Sequence, residues 1–237
     1  MKCITILKEW GDAFLSLFYP RCCVVCGHPL CKGEECVCIL CDINMPRTNF
    51  HLLPDNPVER GFWGKFPLGR ATSFFYYRKG SSYRKILHRL KYGGEKEIGE
   101  VMGRHIAVEL LPSGFFEHVD VIIPVPLHRK RLRTRGYNQS EWFARGIAAI
   151  TGIPVDVGSV IRHEFTETQV HKSAFERWGN VAGVFSLEKH AEIFAGKHLL
   201  VVDDVLTTGS TITSTASCLA EVEGVRISVL TIAVASS

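Results

Sequence analysis

The stretch Leu199-Leu200-Val201-Val202-Asp203-Asp204-Val205-Leu206-Thr207-Thr208-Gly209-Ser210-Thr211 constrains this chain more than any other part of it. An apolar run ends abruptly in two adjacent carboxylates. A loop of Thr, Gly and Ser follows, and then a helix-like stretch from Ile212 to about Glu221. The apolar run has the pattern of a buried parallel strand. Carboxylates at the carboxyl end of such a strand stand where open α/β sheets bind ligands. The Thr-Thr-Gly-Ser-Thr loop offers backbone N–H groups, small hydroxyls and a helix N-terminus, which together cradle an anion. Two acceptors beside an anion cradle suit a ligand with vicinal hydroxyls and a phosphate, such as a 5-phosphorylated ribose. A helix capped by Asp and Thr is the plainer reading, but capping leaves the full string unexplained.

Around this unit the pattern alternates. Strand-like runs are Ala71 to Arg78, Val119 to Val125, Val155 to Arg162 and Val225 to Val234. Helix-like runs are Tyr83 to Leu90, Ile98 to Leu111 and Gly136 to about Ile150, with Asn138 as N-cap. Alternation of this kind predicts an α/β fold, a mostly parallel sheet flanked by helices. The chain has 237 residues, 46% of them apolar, enough for one sizeable domain with an appendage. Residues 71–237 form that domain. Residues 46–70, rich in Pro and Gly, read as an extended connection anchored by Phe62, Trp63 and Phe66. In residues 1–20, Ile6, Leu7, Trp10, Phe14, Leu17 and Phe18 mark one face of an amphipathic helix. Lys8, Glu9 and Asp12 interrupt any signal-peptide core, and no apolar run reaches the ~20 residues of a membrane span. The expected compartment is the cytoplasm.

Seven of the nine cysteines crowd into residues 21–45. Cys23-x2-Cys26 and Cys38-x2-Cys41 are two CxxC turns separated by eleven residues. Such turns bring thiolates together in pairs, and two pairs complete a tetrahedral four-thiolate site for structural zinc. Gly27 suits the tight knuckle after the first pair. Cys22, Cys31, Cys36 and His28 are further ligand types in the same module, and they leave the ligand register open. A closed four-thiolate site has no vacant position for catalysis; its use is to fold a segment too short to bury its own core.

Between His128 and Gly136 the chain carries Arg129, Lys130, Arg131, Arg133 and Arg135 with no acid among them. The expected form is a basic loop. Net charge is only +4, so any field is local to such segments. Lys91 precedes a Tyr92-Gly93-Gly94 break that can hold a lysine over a pocket. His163 to Asn180 is polar and irregular.

The Asp203–Thr211 string resembles the phosphoribosyl pyrophosphate motif of type I phosphoribosyltransferases. The chain further resembles the ComF family, competence-associated members of that fold. The likeness rests on Cys23-x2-Cys26-Gly27, Leu87-His88-Arg89-Leu90-Lys91-Tyr92-Gly93-Gly94 and Pro124-Val125-Pro126-Leu127-His128. Arg135-Gly136-Tyr137-Asn138-Gln139, then Gln169, Arg177 and Asn180 extend it, so that it spans nearly the whole chain in order. The resemblance implies a type I phosphoribosyltransferase-like fold behind a four-cysteine zinc module. It implies that Asp203 and Asp204 take ribose hydroxyls and that Thr207, Thr208, Gly209, Ser210 and Thr211 take the 5-phosphate. Magnesium would accompany the phosphoribosyl pyrophosphate. Lys91 and Arg135 are candidates for the pyrophosphate, Gln169 and Arg177 for a flap over the reacting centre. Family membership implies a role in DNA uptake and natural transformation, alongside an ATP-driven DNA translocase. Two functional readings stand: phosphoribosyl transfer to an acceptor that no residue string identifies, and single-stranded DNA binding by a protein that keeps the fold without turnover.

Overall fold

Leu199 and Val201 bury their side chains in one apolar cluster while Leu200 and Val202 bury theirs in another. That alternation is what a strand at the centre of a three-layer fold requires. The structure, a computed structural model, describes residues 20–163, 184–188 and 191–235. Its elements in order are α1 (Ile39–Ile43), a 3-10 turn (Phe50–Leu52), α2 (Pro57–Phe62), β1 (Leu68–Tyr77), α3 (Arg84–Tyr92) and α4 (Glu97–Leu110). There follow β2 (Val121–Pro124), α5 (Arg129–Arg135), α6 (Gln139–Thr151), β3 (Val160–Arg162), β4 (Phe185–Leu187), β5 (His198–Leu206), α7 (Ser210–Leu219) and β6 (Arg226–Ala235).

The main sheet has the order β1-β6-β5-β2, and every pair in it is parallel. On one face α3, α4 and α6 contribute Leu90, Met102, Ile106, Phe143 and Ile147, packed with Leu200, Val202, Leu230 and Ile232. On the other, α2 and α7 contribute Phe62, Ile212, Ala216 and Leu219, packed with Leu199, Val201, Ile227 and Val229. α4 and α6 approach backbone to backbone: a Cβ added at Gly146 would lie 2.1 Å from the Glu100 carbonyl oxygen. The expected α/β architecture is therefore present, with helices on both faces.

The structure departs from the sequence reading in four places. Val155 to Arg162 is not one strand. Val155 makes a lone parallel bridge to Ile122, and only Val160–Arg162 is extended, antiparallel to β4. The Asp156 side chain accepts from the N–H groups of Gly158 and Ser159, closing a turn that breaks the run. Residues 46–70 are not merely extended, because Asn56 and Glu59 form a capping box that starts α2 with Pro57 in its first turn. Phe62 and Phe66 are buried there, whereas Trp63 is 54% exposed and anchors nothing. Finally, the basic stretch is a helix, α5, rather than a loop. His128 Nδ1 accepts from the Lys130 N–H at its start, and Gly136 closes it with φ 81°. Residues 1–19 and the segment with Gln169, Arg177 and Asn180 lie outside the described residues.

Candidate functional site

The cysteine module docks on the core. Val24, Val25 and Met45 join the cluster beneath α3 and α4, the Tyr83 hydroxyl donates to the Cys41 carbonyl at 2.8 Å, and Lys85 Nζ donates to the Val25 carbonyl at 3.0 Å. The sulfurs of Cys23, Cys26, Cys38 and Cys41 lie within 4.8 Å of one another. Those of Cys26 and Cys38 are 3.7 Å apart, close to the roughly 3.8 Å edge of a tetrahedron with Zn–S bonds of about 2.3 Å. The Cys38 N–H donates to Cys23 Sγ at 3.3 Å. Burial alone would raise the Cys23 thiol. The N–H groups of Cys26, Cys38 and Val25 outweigh it and lower the pKa to about 6, which favours the thiolate a metal needs. Cys36 is buried away from the four sulfurs, and burial with the Glu35 charge pushes it up to about 12. Cys22 and Cys31 are exposed and outside the cluster. The four-cysteine set fits a metal ion such as zinc.

At its carboxyl end β5 outruns its neighbour β2. Its pairing with β2 ends at Val202, while its pairing with β6 continues to Leu206. One edge of β5 therefore opens into a crevice at Asp203 and Asp204. The Ser140 hydroxyl donates to Asp203 Oδ1 at 2.8 Å, and the Asp204 N–H donates to the same oxygen at 2.9 Å. Burial raises the Asp203 carboxyl, the neighbouring Asp204 carboxylate raises it further, and together they bring it to about 7. Asp204 is buried, and its Oδ2 lies 2.9 Å from Lys91 Nζ. The approach is off the line of a good hydrogen bond, so this oxygen has an ion partner but no aligned donor.

Thr207 and Thr208 are exposed beyond the strand, and Gly209 starts α7 with φ 75°. A Cβ there would be strained by that φ and would lie 3.2 Å from Phe62 Cε1, so the turn takes glycine. Gly209 provides no side-chain cap for the first-turn N–H groups; the nearest substitute is Thr208 Oγ1, 3.4 Å from the Ser210 nitrogen.

Beside the carboxylates lies a cleft of about 500 Å³ lined by Lys91, Tyr92, Gly94, Lys130, Arg131, Thr134 and Arg135. The structure thus brings Lys91 and Arg135 to the lining of one cavity. The Arg135-Gly136-Tyr137-Asn138-Gln139 string explains how. The Arg135 guanidinium donates to Gln139 Oε1 and stacks 5.5 Å above the Tyr92 ring. The Tyr137 hydroxyl donates to the Leu90 carbonyl, which ties the last turn of α3 to the start of α6. Asn138 caps α6 and donates from Nδ2 to the Val125 carbonyl at 3.0 Å, tying both to the end of β2. Two side chains, Tyr137 and Asn138, thus tie α3, the start of α6 and the end of β2 together beside the cleft.

A family model described as a phosphoribosyl transferase domain matches residues 137–236, which include the Asp pair and the Thr-Gly loop. The DNA utilization protein YhgH of Shigella flexneri is 30% identical over 218 residues, covering 86% of this chain and 92% of that protein. Competence protein F of Haemophilus influenzae is 37% identical over 100 residues, 42% of this chain and 44% of that protein. Competence protein ComFC of Bacillus subtilis is 26% identical over 202 residues, 84% of this chain and 71% of that protein. This chain belongs to the ComF family.

ComF membership accounts for the cysteine module and the Asp-Asp-…-Thr-Thr-Gly string appearing in one chain. Sequence reasoning missed Ser140. Ser140 opens α6 two residues after its cap and is 1% exposed. A serine at that position reads from sequence as ordinary capping chemistry. Among the described residues of this ComF protein no helix is long and apolar enough to cross a membrane.

Proposed function

We propose that the chain binds phosphoribosyl pyrophosphate with magnesium at the carboxyl end of β5, and that it acts in the handling of incoming DNA during natural transformation. The observation that carries the ligand reading is one adjacency. Two carboxylates, a glycine-started helix N-terminus flanked by Thr and Ser hydroxyls, and a cationic cleft meet at the open edge of a parallel strand. In this reading Asp203 and Asp204 accept from the ribose hydroxyls, and Thr207 to Thr211 hold the 5-phosphate. Lys91, Arg131 and Arg135 face the pyrophosphate. The names carried by the relatives, DNA utilization and competence, support the cellular role.

The chemistry available to such an arrangement is displacement at the anomeric carbon. The C1–O bond to the pyrophosphate breaks, the leaving group takes the electron pair, and the acceptor's lone pair forms the new bond. Holding the sugar and neutralising the leaving group matter more here than a strong base. Magnesium, when bound with the ligand, supplies further charge neutralisation at the pyrophosphate oxygens. Lys91 Nζ is paired with Asp204 Oδ2. A ribose hydroxyl arriving at Asp204 would release it toward the pyrophosphate, so that one binding event arms the other.

A second reading, single-stranded DNA binding, draws on α5. Arg129, Lys130, Arg131 and Arg133 are all exposed on it, and Tyr92 beside the cleft is 72% exposed. Exposed cations next to an aromatic face suit a single strand. Magnesium-dependent binding of phosphoribosyl pyrophosphate, followed by competition with single-stranded DNA, tests both readings.

A further inference from the structure

A second cavity, of about 420 Å³, adjoins the Thr207-Thr208-Gly209 loop and, among the described residues, shares no lining residue with the cationic cleft. Strand register sets its floor. Tyr76 of β1 and Leu206 of β5 both pair with Val234 of β6, so the three side chains form one row across the sheet. All three pack with the cluster beneath α2 and α7. Two further rings complete the lining. Phe50, from the 3-10 turn, meets the Tyr76 ring edge-on with centroids 5.8 Å apart. Phe62, from α2, packs so close to Gly209 that a Cβ there would lie 3.2 Å from its Cε1. Asn56 fixes these parts relative to one another: its Nδ2 donates to the Phe50 and Ala71 carbonyls at 3.2 and 2.9 Å, and its Oδ1 accepts from the Val58 N–H at the start of α2.

This lining selects a class of occupant. Planar aromatic groups stack on aromatic side chains, and the volume falls in the range of roughly 300–1,000 Å³ usual for small-molecule pockets. The loop that closes the cavity is the one assigned above to a 5-phosphate. In phosphoribosyl pyrophosphate that phosphate is terminal, so nothing extends from it toward the rings. In a polynucleotide the same phosphate is a diester and carries a second nucleoside on its other oxygen. The cavity stands beside the loop where that nucleoside would be placed.

We infer that the cavity walled by Phe50, Phe62 and Tyr76 receives a base of single-stranded DNA, the base on the 5′ side of a phosphodiester held at the Thr207–Thr211 loop. The inference rests on the assignment of that loop to a phosphate. It gives single-stranded DNA a contact that phosphoribosyl pyrophosphate lacks, and it makes the two compete for one phosphate position. Rings and apolar side chains dominate the lining, so the pocket tolerates any base.

Calorimetry with three probes, each with magnesium, tests this: the thymidine dinucleotide, the same dinucleotide with an abasic 5′ sugar, and phosphoribosyl pyrophosphate. The wild type should bind the full dinucleotide about five- to hundredfold more tightly than the abasic one. Phosphoribosyl pyrophosphate at saturation should abolish dinucleotide binding. Gly61 lines the cavity from α2, and a Cβ there meets nothing within 4 Å, so Gly61→Leu adds bulk without a clash. It should bring the preference to within about twofold. Tyr76→Leu, which removes one ring and keeps an apolar floor, should lower the preference, and both variants should keep phosphoribosyl pyrophosphate affinity within about twofold of wild type. Equal affinity of the wild type for the two dinucleotides overturns the inference, and that comparison does not depend on either variant folding. A preference unchanged in both variants overturns it as well, as does dinucleotide binding that persists at saturating phosphoribosyl pyrophosphate. If the wild type binds phosphoribosyl pyrophosphate and neither dinucleotide, the base pocket fails while the ligand reading stands. If it prefers the full dinucleotide but does not bind phosphoribosyl pyrophosphate, the ligand reading fails while the base pocket stands. A wild type that binds none of the three overturns both.

Discussion

Lys91 Nζ lies 2.9 Å from Asp204 Oδ2, with the lysine side chain 22% exposed and the aspartate 4%. This pair joins the last turn of α3 to the carboxyl end of β5, one residue past the other candidate carboxylate. Removing one partner of a buried pair leaves the other uncompensated, at about 3–5 kcal/mol when both are fully buried. Lys91 keeps some solvent, so Lys91→Met should cost less, roughly 2–3 kcal/mol. The double variant Lys91→Met with Asp204→Asn should be less destabilised than the sum of the single changes. Denaturant unfolding of the four proteins measures this, and strict additivity would mean the two groups do not interact.

The cysteine cluster predicts one tightly held zinc per chain. Metal analysis should show Cys23→Ser and Cys38→Ser losing the metal, while Cys22→Ser and Cys31→Ser retain it, since those thiols are exposed and outside the cluster. Because Val24, Val25 and Met45 are part of the main core, metal loss should also lower the melting temperature of the whole domain rather than release a separate module. Well-folded wild type with a stoichiometry near zero would contradict the assignment.

Asp203 gives stability a pH dependence of definite sign. Its carboxyl rises from an ordinary 3.8 to about 7 in the folded protein, through burial first and the Asp204 charge second. Between those values the folded state keeps a proton that the unfolded chain has released. Stability from this group therefore falls as pH rises across that window and levels off above it. Asp203→Asn removes the dependence. The melting temperature of the variant relative to wild type should climb from about pH 5 to about pH 8, and parallel profiles would refute the shift.

Much of this was legible in the sequence. The Asp203–Thr211 string and the paired CxxC turns depend on local spacing, and local spacing survives folding unchanged. Lys91 was legible as a candidate because a Gly-Gly break follows it. Its partner was not, because contact between α3 and β5 is set by packing across the sheet. Ser140 escaped for the same reason, since its bond to Asp203 joins α6 to β5. The form of α5 was hidden differently: with Leu132 as its only large apolar residue it has no periodic face to read, and its caps, His128 and Gly136, are what make it a helix. Residues 46–70 carried an Asn-Pro-x-Glu capping signal that the Pro-rich composition obscured.

α5 also divides its cations. Lys130, Arg131 and Arg135 line the cleft, whereas Arg129 and Arg133 lie on its outer side. Arg129→Gln with Arg133→Gln should flatten the salt dependence of single-stranded DNA binding, by roughly 0.7 in slope for each phosphate no longer neutralised. The same change should leave phosphoribosyl pyrophosphate affinity nearly intact. Arg131→Gln with Arg135→Gln should weaken both ligands. Filter binding at several salt concentrations decides this, and an unchanged slope in both variants would mean that α5 is a solvated surface.

Binding at the Asp203–Asp204 crevice is decided by calorimetric titration of the wild type with phosphoribosyl pyrophosphate, with and without magnesium, beside Asp203→Asn with Asp204→Asn. Magnesium-dependent binding to the wild type is expected. The double variant should bind at least about tenfold more weakly while its far-ultraviolet spectrum stays native. No binding to the wild type at millimolar ligand, or equal affinity in the double variant, would contradict the assignment of this crevice to phosphoribosyl pyrophosphate.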